Sequence, residues 1–286
     1  MIYFLIYKIG SYIALHLPLK IVYKIAVFLS DLHYIFARKD RINVTANLKA
    51  IFPNKGLSEI KAIRLAMFRN FAKYLVDFFR FPLLDNEYIK KNINIENIHY
   101  FDEALAKGKG IVSVTAHIGN WELAGVTVAL LGYPIGAVVL PHRHKSVDEF
   151  FISQRQKKGL IVMPLGRAAR HCLNLLHENK IIALAGDRVF NATGILIDFF
   201  GLPTYLPEGP AAFSLKTGAP IIPGFMCRNP DDTFKFIFEG PIEFHPSGNK
   251  KKDLIQLLSK YKVIIENYIR RYPEQWFMFR KFWTER

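Results

Sequence analysis

The sequence predicts an α/β fold in which helices flank a largely parallel, twisted sheet, with an apolar helical segment in front of it. Two observations support this fold class. From residue 93 onward, short β-branched runs alternate with amphipathic stretches, and repeated βα units of this kind form parallel sheets covered by helices. The chain has 286 residues, of which 51% are hydrophobic, which suits one large domain or one domain with a small extension.

The first predicted element is residues 1–37, an apolar segment that Lys8, Lys20 and Lys24 interrupt and that contains Pro18. The stretch between the first two lysines is shorter than the roughly 20 apolar residues of a spanning helix, although the lysines could extend to the interface. No positive charge precedes the first apolar run, which disfavours a cleavable signal peptide. We therefore predict a membrane-anchoring segment, inserted or interfacial. A buried helical hairpin of a soluble domain is the alternative.

Two helices are predicted next, at the start of a second unit that comprises residues 38–286. Residues 38–52 form a short helix that Pro53 ends, since proline does not continue an α-helix. Ser58 is the predicted N-cap of a long amphipathic helix. The apolar positions of this helix recur at helical spacing, at Ile60, Ile63, Leu65, Met67, Phe68, Phe71, Leu75, Phe78 and Phe79.

The remaining elements alternate between strands and helices, which is typical of a parallel sheet with helical crossovers. The predicted strands are residues 110–116, 135–140, 160–164, 181–185, 220–227 and 234–239. The predicted helices are residues 120–131, 147–158, 167–178, 207–217 and 251–271. We find no internal repeat, low-complexity tract or long linker.

The charge of the chain indicates an anionic partner. The formal net charge is +15, and the pI is about 9.7. No zinc-finger spacing, RNA-recognition motif or helix-turn-helix pattern is present, so nucleic acid is disfavoured. An anionic membrane surface or an acidic substrate is favoured instead. The two cysteines, Cys172 and Cys227, lie in apolar contexts and are typical of core residues rather than of a redox or metal site.

His117 and Glu122 are the main catalytic candidates. His117 follows a buried strand, where α/β sheets bind ligands, and Asn120 can cap the next helix. Glu122 falls in the first turn of that helix. Side chains five residues apart on one helix point about 140° apart, so a pair requires His117 in the turn, with Glu122 reaching back to its imidazole. The spacing supports one alternative equally well. In that alternative His117 is a capping residue, and Glu122 only interacts favourably with the helix dipole.

Other charged side chains occur near predicted strand ends. Asp187 and Arg188 follow a buried strand, where they form either part of a site or a structural ion pair. Arg143 lies in the basic loop of residues 142–145, whose two histidines lack a third metal ligand nearby. That loop either binds phosphate or is merely solvated. Arg155 lies on a predicted helix among polar residues, and a solvated helix face is its alternative.

Several segments resemble, in the same order, the bacterial lipid A late acyltransferase family of the lysophospholipid acyltransferase-like superfamily. The first is the His-x-x-x-x-Glu spacing after a buried strand, from His117 to Glu122. The others are residues 41–53, 199–203, 208–212, 217–223 and 272–276, the last followed by an aromatic and basic tail. The resemblance covers nearly the whole chain. One departure is Leu140-Pro141, where the best-studied members carry Arg-Pro.

The resemblance implies a glycerolipid acyltransferase-like fold and an O-acyl transfer. The donor would be a thioester of acyl carrier protein or coenzyme A, and the acceptor a hydroxyl of a lipid A precursor or related membrane glycolipid. His117 would be the general base and Glu122 its partner, with no cofactor, metal or nucleophilic serine required. The predicted substrate-binding residues are Asn120, Arg143, Arg155, Asp187, Arg188, Glu208 and Gly209. The implied location is the cytoplasmic face of the bacterial inner membrane.

Alternative functions remain open at this point. The sequence Gly186-Asp187-Arg188 resembles a broader branch of bacterial glycolipid and lysophospholipid acyltransferases. A lysophospholipid is therefore the alternative acceptor to a lipid A precursor or related glycolipid. A thioester or lipid hydrolase could use the same pair on water. A non-enzymatic protein that binds anionic lipid would not need His117 and Glu122 to face one cavity. Glu208 could likewise only favour a helix N-terminus.

Overall fold

The computed structural model describes residues 2–189 and 194–283 and contains two sheets. The strands are β1 (Ile93–Glu96), β2 (Ile111–Thr115), β3 (Ile135–Val139), β4 (Ile161–Pro164), β5 (Ile181–Ala185), β6 (Ile195–Phe199), β7 (Leu202–Leu206), β8 (Ile221–Arg228) and β9 (Phe234–Phe238). Seven of these strands form one sheet in the order β1-β9-β8-β2-β5-β3-β4, and β6 and β7 form a separate antiparallel hairpin.

The large sheet is mostly parallel, which confirms the predicted fold class. β8, β2, β5, β3 and β4 all run in the same direction. β9 is antiparallel to β8, and β1 runs parallel to β9 at the edge. The carboxyl ends of the five parallel strands therefore meet at one edge of the sheet, where open α/β sheets bind their ligands.

Helices cover both faces of this sheet. The helices are α1 (Ile2–His16), α2 (Leu19–Phe36), α3 (Arg38–Ile51), α4 (Leu57–Phe79), α5 (Asn86–Asn92), α6 (His99–Leu105), α7 (Trp121–Leu130), α8 (Lys145–Gln156), α9 (Ala168–His177), α10 (Gly209–Thr217) and α11 (Lys250–Arg271). Successive residues of a strand point to opposite faces. In β2, Val112 and Val114 thus pack into one apolar core with α9, α10 and α11, whereas Ile111 packs into the other with α6 and α7.

The N-terminal helices pack on the rest of the chain through one face only. Val22 and Tyr23 of α2 are buried in a small apolar cluster with Val76 of α4. The opposite faces of α1 and α2 expose large apolar side chains. Among the described residues, no helix has both the length and the apolarity that crossing a membrane requires. The division into residues 1–37 and 38–286 stays a prediction, and residues 284–286 of the predicted basic tail lie outside the described residues.

Several local features differ from the predictions, and β1, α5 and α6 were not among the predicted elements. Ser58 is not the cap of α4, because that helix begins at Leu57 and the Glu59 carboxylate accepts a hydrogen bond from the Gly56 N–H. The β6–β7 hairpin was not predicted. Its turn residues Phe200 and Gly201 both have positive φ, 56° and 78°, and a phenylalanine rarely adopts that conformation.

Candidate functional site

His117 and Asp187 lie side by side at the carboxyl edge of the sheet. β2 and β5 are neighbours, and Thr115 is paired with Ala185 in their register. Each site residue follows its strand by two positions, so the two loops place both side chains together. His117 Nδ1 lies 2.8 Å from Asp187 Oδ1, and the backbone N–H of His117 donates to Asp187 Oδ2 at 3.1 Å. Asp187, predicted as a substrate-binding residue, thus contacts the histidine itself.

Asp187 is fully buried, and hydrogen bonds stabilise the negative charge of its carboxylate. Burial alone raises the pKa of this carboxyl, but the imidazole of His117 and hydrogen bonds from His117 and Trp276 outweigh burial and hold the pKa at about 2. In a neutral imidazole, a proton on Nδ1 toward the ionised Asp187 makes Nε2 the acceptor nitrogen of the ring. Arg188 Nη2 lies 3.3 Å from that Nε2 atom. The second ring nitrogen of His117 therefore faces Arg188.

Glu122 contacts a different partner from the one predicted. Its two carboxylate oxygens accept hydrogen bonds from Arg155, at 2.7 Å from Nε and 2.5 Å from Nη2. The sequence analysis predicted that Glu122 reaches back to the imidazole of His117, whereas the structure pairs its carboxylate with Arg155. The reason is that α7 begins at Trp121, so Glu122 already follows the helical path and points toward α8. Arg155 is buried rather than on a solvated helix face.

The turn between His117 and α7 is held by buried polar contacts. Asn120 caps α7 as predicted, because its side-chain oxygen accepts from the Leu123 N–H, and its amide donates to Asp77 at 2.7 Å. Asp77 also accepts hydrogen bonds from Tyr23 and Arg228. This buried network was missed by the sequence analysis, since Asp77 and Arg228 lie in an ordinary helix and an ordinary strand.

Gly119 is the position in this turn that requires glycine. Its φ is +60°, and an added Cβ would lie 1.9 Å from the carbonyl oxygen of Met226 in β8. The Asn120 N–H donates to that same carbonyl at 2.8 Å. The turn therefore lies directly on the neighbouring strand, which fixes the start of α7 relative to the sheet.

The remaining predicted residues lie in loops and helix ends around this edge. Arg143 lines an open cavity of about 450 Å³ together with Phe4, His144 and Lys145. Glu208 precedes α10, and Gly209 is its first residue. Contact of these groups with a substrate stays a prediction. Within residues 2–189 and 194–283, no cluster of three or more His, Cys, Asp or Glu side chains could hold a metal ion.

Replacing Glu122 by alanine is expected to lower kcat at least about tenfold. The Arg155 guanidinium would lose both acceptors in a buried position, and an uncompensated buried charge is costly. The first turn of α7, which follows His117 closely, would then shift or loosen. Steady-state kinetics measure the effect. Glu178 and Lys180 supply the control, because this partly exposed pair lies just before β5, at the opposite edge of the sheet, so Glu178→Ala should leave kcat unchanged.

The fold and the site together define an α/β protein with a histidine–carboxylate pair at the carboxyl edge of its parallel sheet. The sequence matches the family described as bacterial lipid A biosynthesis acyltransferase over residues 1–285. The chain belongs to this family. It is 23% identical over 241 residues to a lipid A biosynthesis acyltransferase of Haemophilus influenzae, which covers 84% of this chain and 74% of that protein.

Two mycobacterial proteins are also similar to the chain. A phosphatidylinositol mannoside acyltransferase of Mycobacterium tuberculosis is 30% identical over 164 residues, covering 55% of this chain and 52% of that protein. The protein of the same name from Mycolicibacterium smegmatis is 31% identical over 162 residues, covering 55% of this chain and 53% of that protein. The chain thus spans about half the length of these mycobacterial relatives.

Proposed function

We propose that this protein transfers a fatty acyl chain from a thioester donor to a hydroxyl group of a membrane glycolipid. The observation that carries the proposal is the contact between His117 Nδ1 and Asp187 Oδ1, at 2.8 Å, at the carboxyl edge of the sheet. The names of the similar proteins refer to lipid A and to phosphatidylinositol mannoside. Both are sugar-bearing lipids, and a hydroxyl group of such a glycolipid is the acceptor that they have in common.

The proposed reaction begins with His117 as general base. Nε2 takes the proton of the acceptor hydroxyl as its oxygen attacks the thioester carbonyl carbon. The tetrahedral intermediate carries an oxyanion, and we propose that Arg188 stabilises it. The distance of 3.3 Å between Arg188 Nη2 and His117 Nε2 supports this role. The carbon–sulfur bond then breaks, and the imidazolium returns its proton to the leaving thiolate. Asp187 stabilises the imidazolium throughout and fixes its tautomer.

The donor carries either acyl carrier protein or coenzyme A, and both are acidic. The basic loop that contains Arg143 and Lys145 lies at the same edge of the sheet as His117, after β3. We propose that this loop attracts the donor or the acceptor phosphates by long-range electrostatics, an effect that added salt weakens. Glu208 and Gly209, at the start of α10, are proposed to line the acceptor site.

Whole-cell lipids test the proposed reaction. Mass spectrometry of total lipids from cells with and without the gene should show one glycolipid class that lacks an acyl chain when the gene is absent. The wild-type gene should restore the chain, and a His117→Ala gene should not. Identical lipid profiles in all four strains would contradict the proposal, and loss of a phospholipid acyl chain instead would indicate a lysophospholipid acceptor.

We further propose that α1 and α2 bind the membrane surface rather than cross it. Their outward faces expose large apolar side chains at helical spacing, at Leu5, Ile6, Ile9, Tyr12, Ile21, Ile25, Phe28, Leu29, Leu32, Ile35 and Phe36. Basic residues accompany these apolar faces, at Lys8, Lys20, Lys24, Arg38 and Lys39. An apolar stripe with adjacent positive charge favours the interface of an anionic bilayer, on the cytoplasmic face of the inner membrane.

Charges on this apolar face are expected to release the protein from vesicles. Phe28 and Leu32 are 69% and 47% exposed. The double substitution Phe28→Asp with Leu32→Asp should therefore not disturb the core. Flotation with anionic vesicles should recover the variant several-fold less than wild type. Val263→Asp on α11, 48% exposed, is the control and should float like wild type. Equal flotation of all three proteins would contradict the proposed surface.

A further inference from the structure

The C-terminal segment of residues 272–283 packs against the loop that carries His117. The N–H of Phe277 donates to the carbonyl of His117 at 2.9 Å, and the N–H of Gly119 donates to the carbonyl of Gln275 at 2.9 Å. Ile118 and Trp276 form an antiparallel bridge between these two bonds. The segment therefore acts as a short additional strand that fixes the backbone on both sides of Ile118, directly after the histidine.

The segment is itself held by helix α3. Asn47 is buried, and its amide donates to the carbonyls of Met278 and Arg280 at 3.0 and 2.8 Å. Its side-chain oxygen accepts from the Phe282 N–H at 2.9 Å. All hydrogen-bonding capacity of this buried side chain toward the segment is used, so the position of residues 278–282 is determined by α3.

Trp276 extends from this segment to the histidine–carboxylate pair. Its indole is fully buried, and Nε1 donates to Asp187 Oδ2 at 3.0 Å. The same oxygen accepts from the His117 N–H at 3.1 Å, while the other carboxylate oxygen faces His117 Nδ1 at 2.8 Å. The indole N–H thus holds the oxygen that does not face the imidazole, and it opposes rotation of the carboxylate about its Cβ–Cγ bond.

A large aromatic residue in a core needs no such hydrogen bond to pack. Trp283 lies in the same aromatic cluster, with its ring centroid 6.4 Å from that of Trp276. Within the part of the chain that the structure describes, the buried Nε1 atom of Trp283 has no hydrogen-bond partner. The two indoles therefore lie in one aromatic cluster, Trp276 fully buried and Trp283 partly buried, and only the N–H of Trp276 contacts the pair.

We infer that Trp276 is a positioning residue for the reaction, because its indole N–H aligns Asp187 with His117. This inference rests on the proposed role of that pair in acyl transfer. Aromatic packing alone would make the indole N–H dispensable, whereas positioning makes it necessary for turnover but not for substrate binding. The C-terminal segment is then part of the active site, although none of its side chains needs to touch substrate.

Two matched substitutions separate positioning from packing. Trp276→Phe removes the indole N–H that bonds Asp187, and Trp283→Phe removes an indole N–H that bonds no described group. Both substitutions replace an indole by the smaller phenyl ring in the same aromatic cluster. Trp276→Phe is expected to lower kcat tenfold or more with KM nearly unchanged, because hydrogen bonds to charged groups are the strong ones. Trp283→Phe is expected to keep kcat within about twofold of wild type.

A spectroscopic measurement on the intact protein accompanies the kinetics. With ¹⁵N-labelled histidine, the Nδ1–H proton of His117 should give a downfield resonance, assigned by its absence in His117→Ala. This resonance should shift or broaden in Trp276→Phe and stay in place in Trp283→Phe. If Trp276→Phe does not fold, β-(3-benzothienyl)alanine at position 276 replaces only the N–H by sulfur and keeps the bicyclic ring, and the same expectations apply.

The outcomes distinguish this inference from the proposed function. Wild-type kcat and an unmoved resonance in the variant without the N–H would overturn the role of Trp276. Equal losses of kcat in the Trp276 and Trp283 variants would also overturn it in favour of packing. In both cases, inactive His117→Ala and Asp187→Asn proteins would leave the proposed function standing. Full activity of those two variants would overturn the proposed function itself.

Discussion

Replacing Asp187 by asparagine is expected to lower kcat by about 10²- to 10⁴-fold, the range that a positioned general base contributes. Asparagine keeps the size of the side chain but loses the charge that stabilises the imidazolium, and it can favour the wrong tautomer of His117. His117→Ala should lower kcat at least as much. The two losses should not add in the double variant, because both residues act as one unit. Steady-state kinetics with saturating donor measure the effect.

Stability must be measured beside these kinetics, because the charge of Asp187 also stabilises the fold. Its pKa is about 2 in the protein, below the roughly 3.9 of an unfolded chain. The lowered pKa contributes about 2 kcal/mol, which is fully present above about pH 4 and is lost as the pH falls toward 2. Asp187→Asn should therefore unfold a few degrees earlier than wild type at neutral pH.

Asp102→Asn is the control for this prediction. Asp102 accepts a hydrogen bond from Tyr133 at 2.8 Å in an exposed position, away from the carboxyl edge of the sheet. Its replacement should change neither kcat nor the midpoint of unfolding appreciably. If Asp187→Asn keeps more than half of the wild-type kcat while it remains folded, Asp187 does not serve as the partner of the base.

Replacing Asp77 by asparagine is expected to destabilise the protein by up to about 3–5 kcal/mol, the cost of removing one partner of a buried ion pair. Arg228 then keeps Asp232 as its remaining carboxylate partner, at 3.4 Å. The side chains of Arg228 and Asp77 are only 6% and 3% exposed. Asp77 also joins Tyr23 of α2 to Asn120 beside the active-site loop. Its loss should loosen the N-terminal helices and the loop together. Thermal or urea unfolding followed by circular dichroism measures the change.

Two further variants make this prediction specific. Asp31 and Arg69 form a two-bond pair at 2.7 and 2.8 Å, but both side chains are more than one third exposed. Asp31→Asn should therefore cost about 0–1 kcal/mol. Combining Asp77→Leu with Arg228→Met should recover only part of the stability. No buried charge remains, but the Tyr23 hydroxyl and the Asn120 amide lose their acceptor. Equal destabilisation by the Asp31 and Asp77 variants would contradict the described role of the buried network.

Local patterns predicted six of the seven strands of the large sheet, most of the longer helices and the edge at which the site lies. They also placed His117, Asp187 and Arg188 at that edge, each after its strand. They did not predict that Asp187 is the partner of His117. That contact depends on β2 and β5 being neighbours, and strand order is not encoded in local spacing. Glu122 is close to His117 in sequence, which favoured it as the partner of the imidazole. The helical path of α7 turns its side chain toward Arg155 instead.

Two other contacts depend on pairing across long separations. Trp276 was part of a recognised motif, yet its position in the sequence says nothing about Asp187, 89 residues earlier. Asp77 and Arg228 are 151 residues apart, and each fits its own element without any partner. A buried charge in an otherwise apolar helix face was the available indication for Asp77. Such pairs become predictable only when the topology is known.

Acyl transfer by the purified full-length protein tests the central proposal most directly. The assay combines a thioester donor with a labelled acyl chain and glycolipids extracted from the source membrane, with wild type and His117→Ala compared side by side. We predict alkali-labile label in a glycolipid product that requires both the acceptor and His117, with little free fatty acid. Free fatty acid released at the same rate with and without acceptor, or glycolipid labelled equally by the His117→Ala protein, would contradict the proposed acyltransferase mechanism.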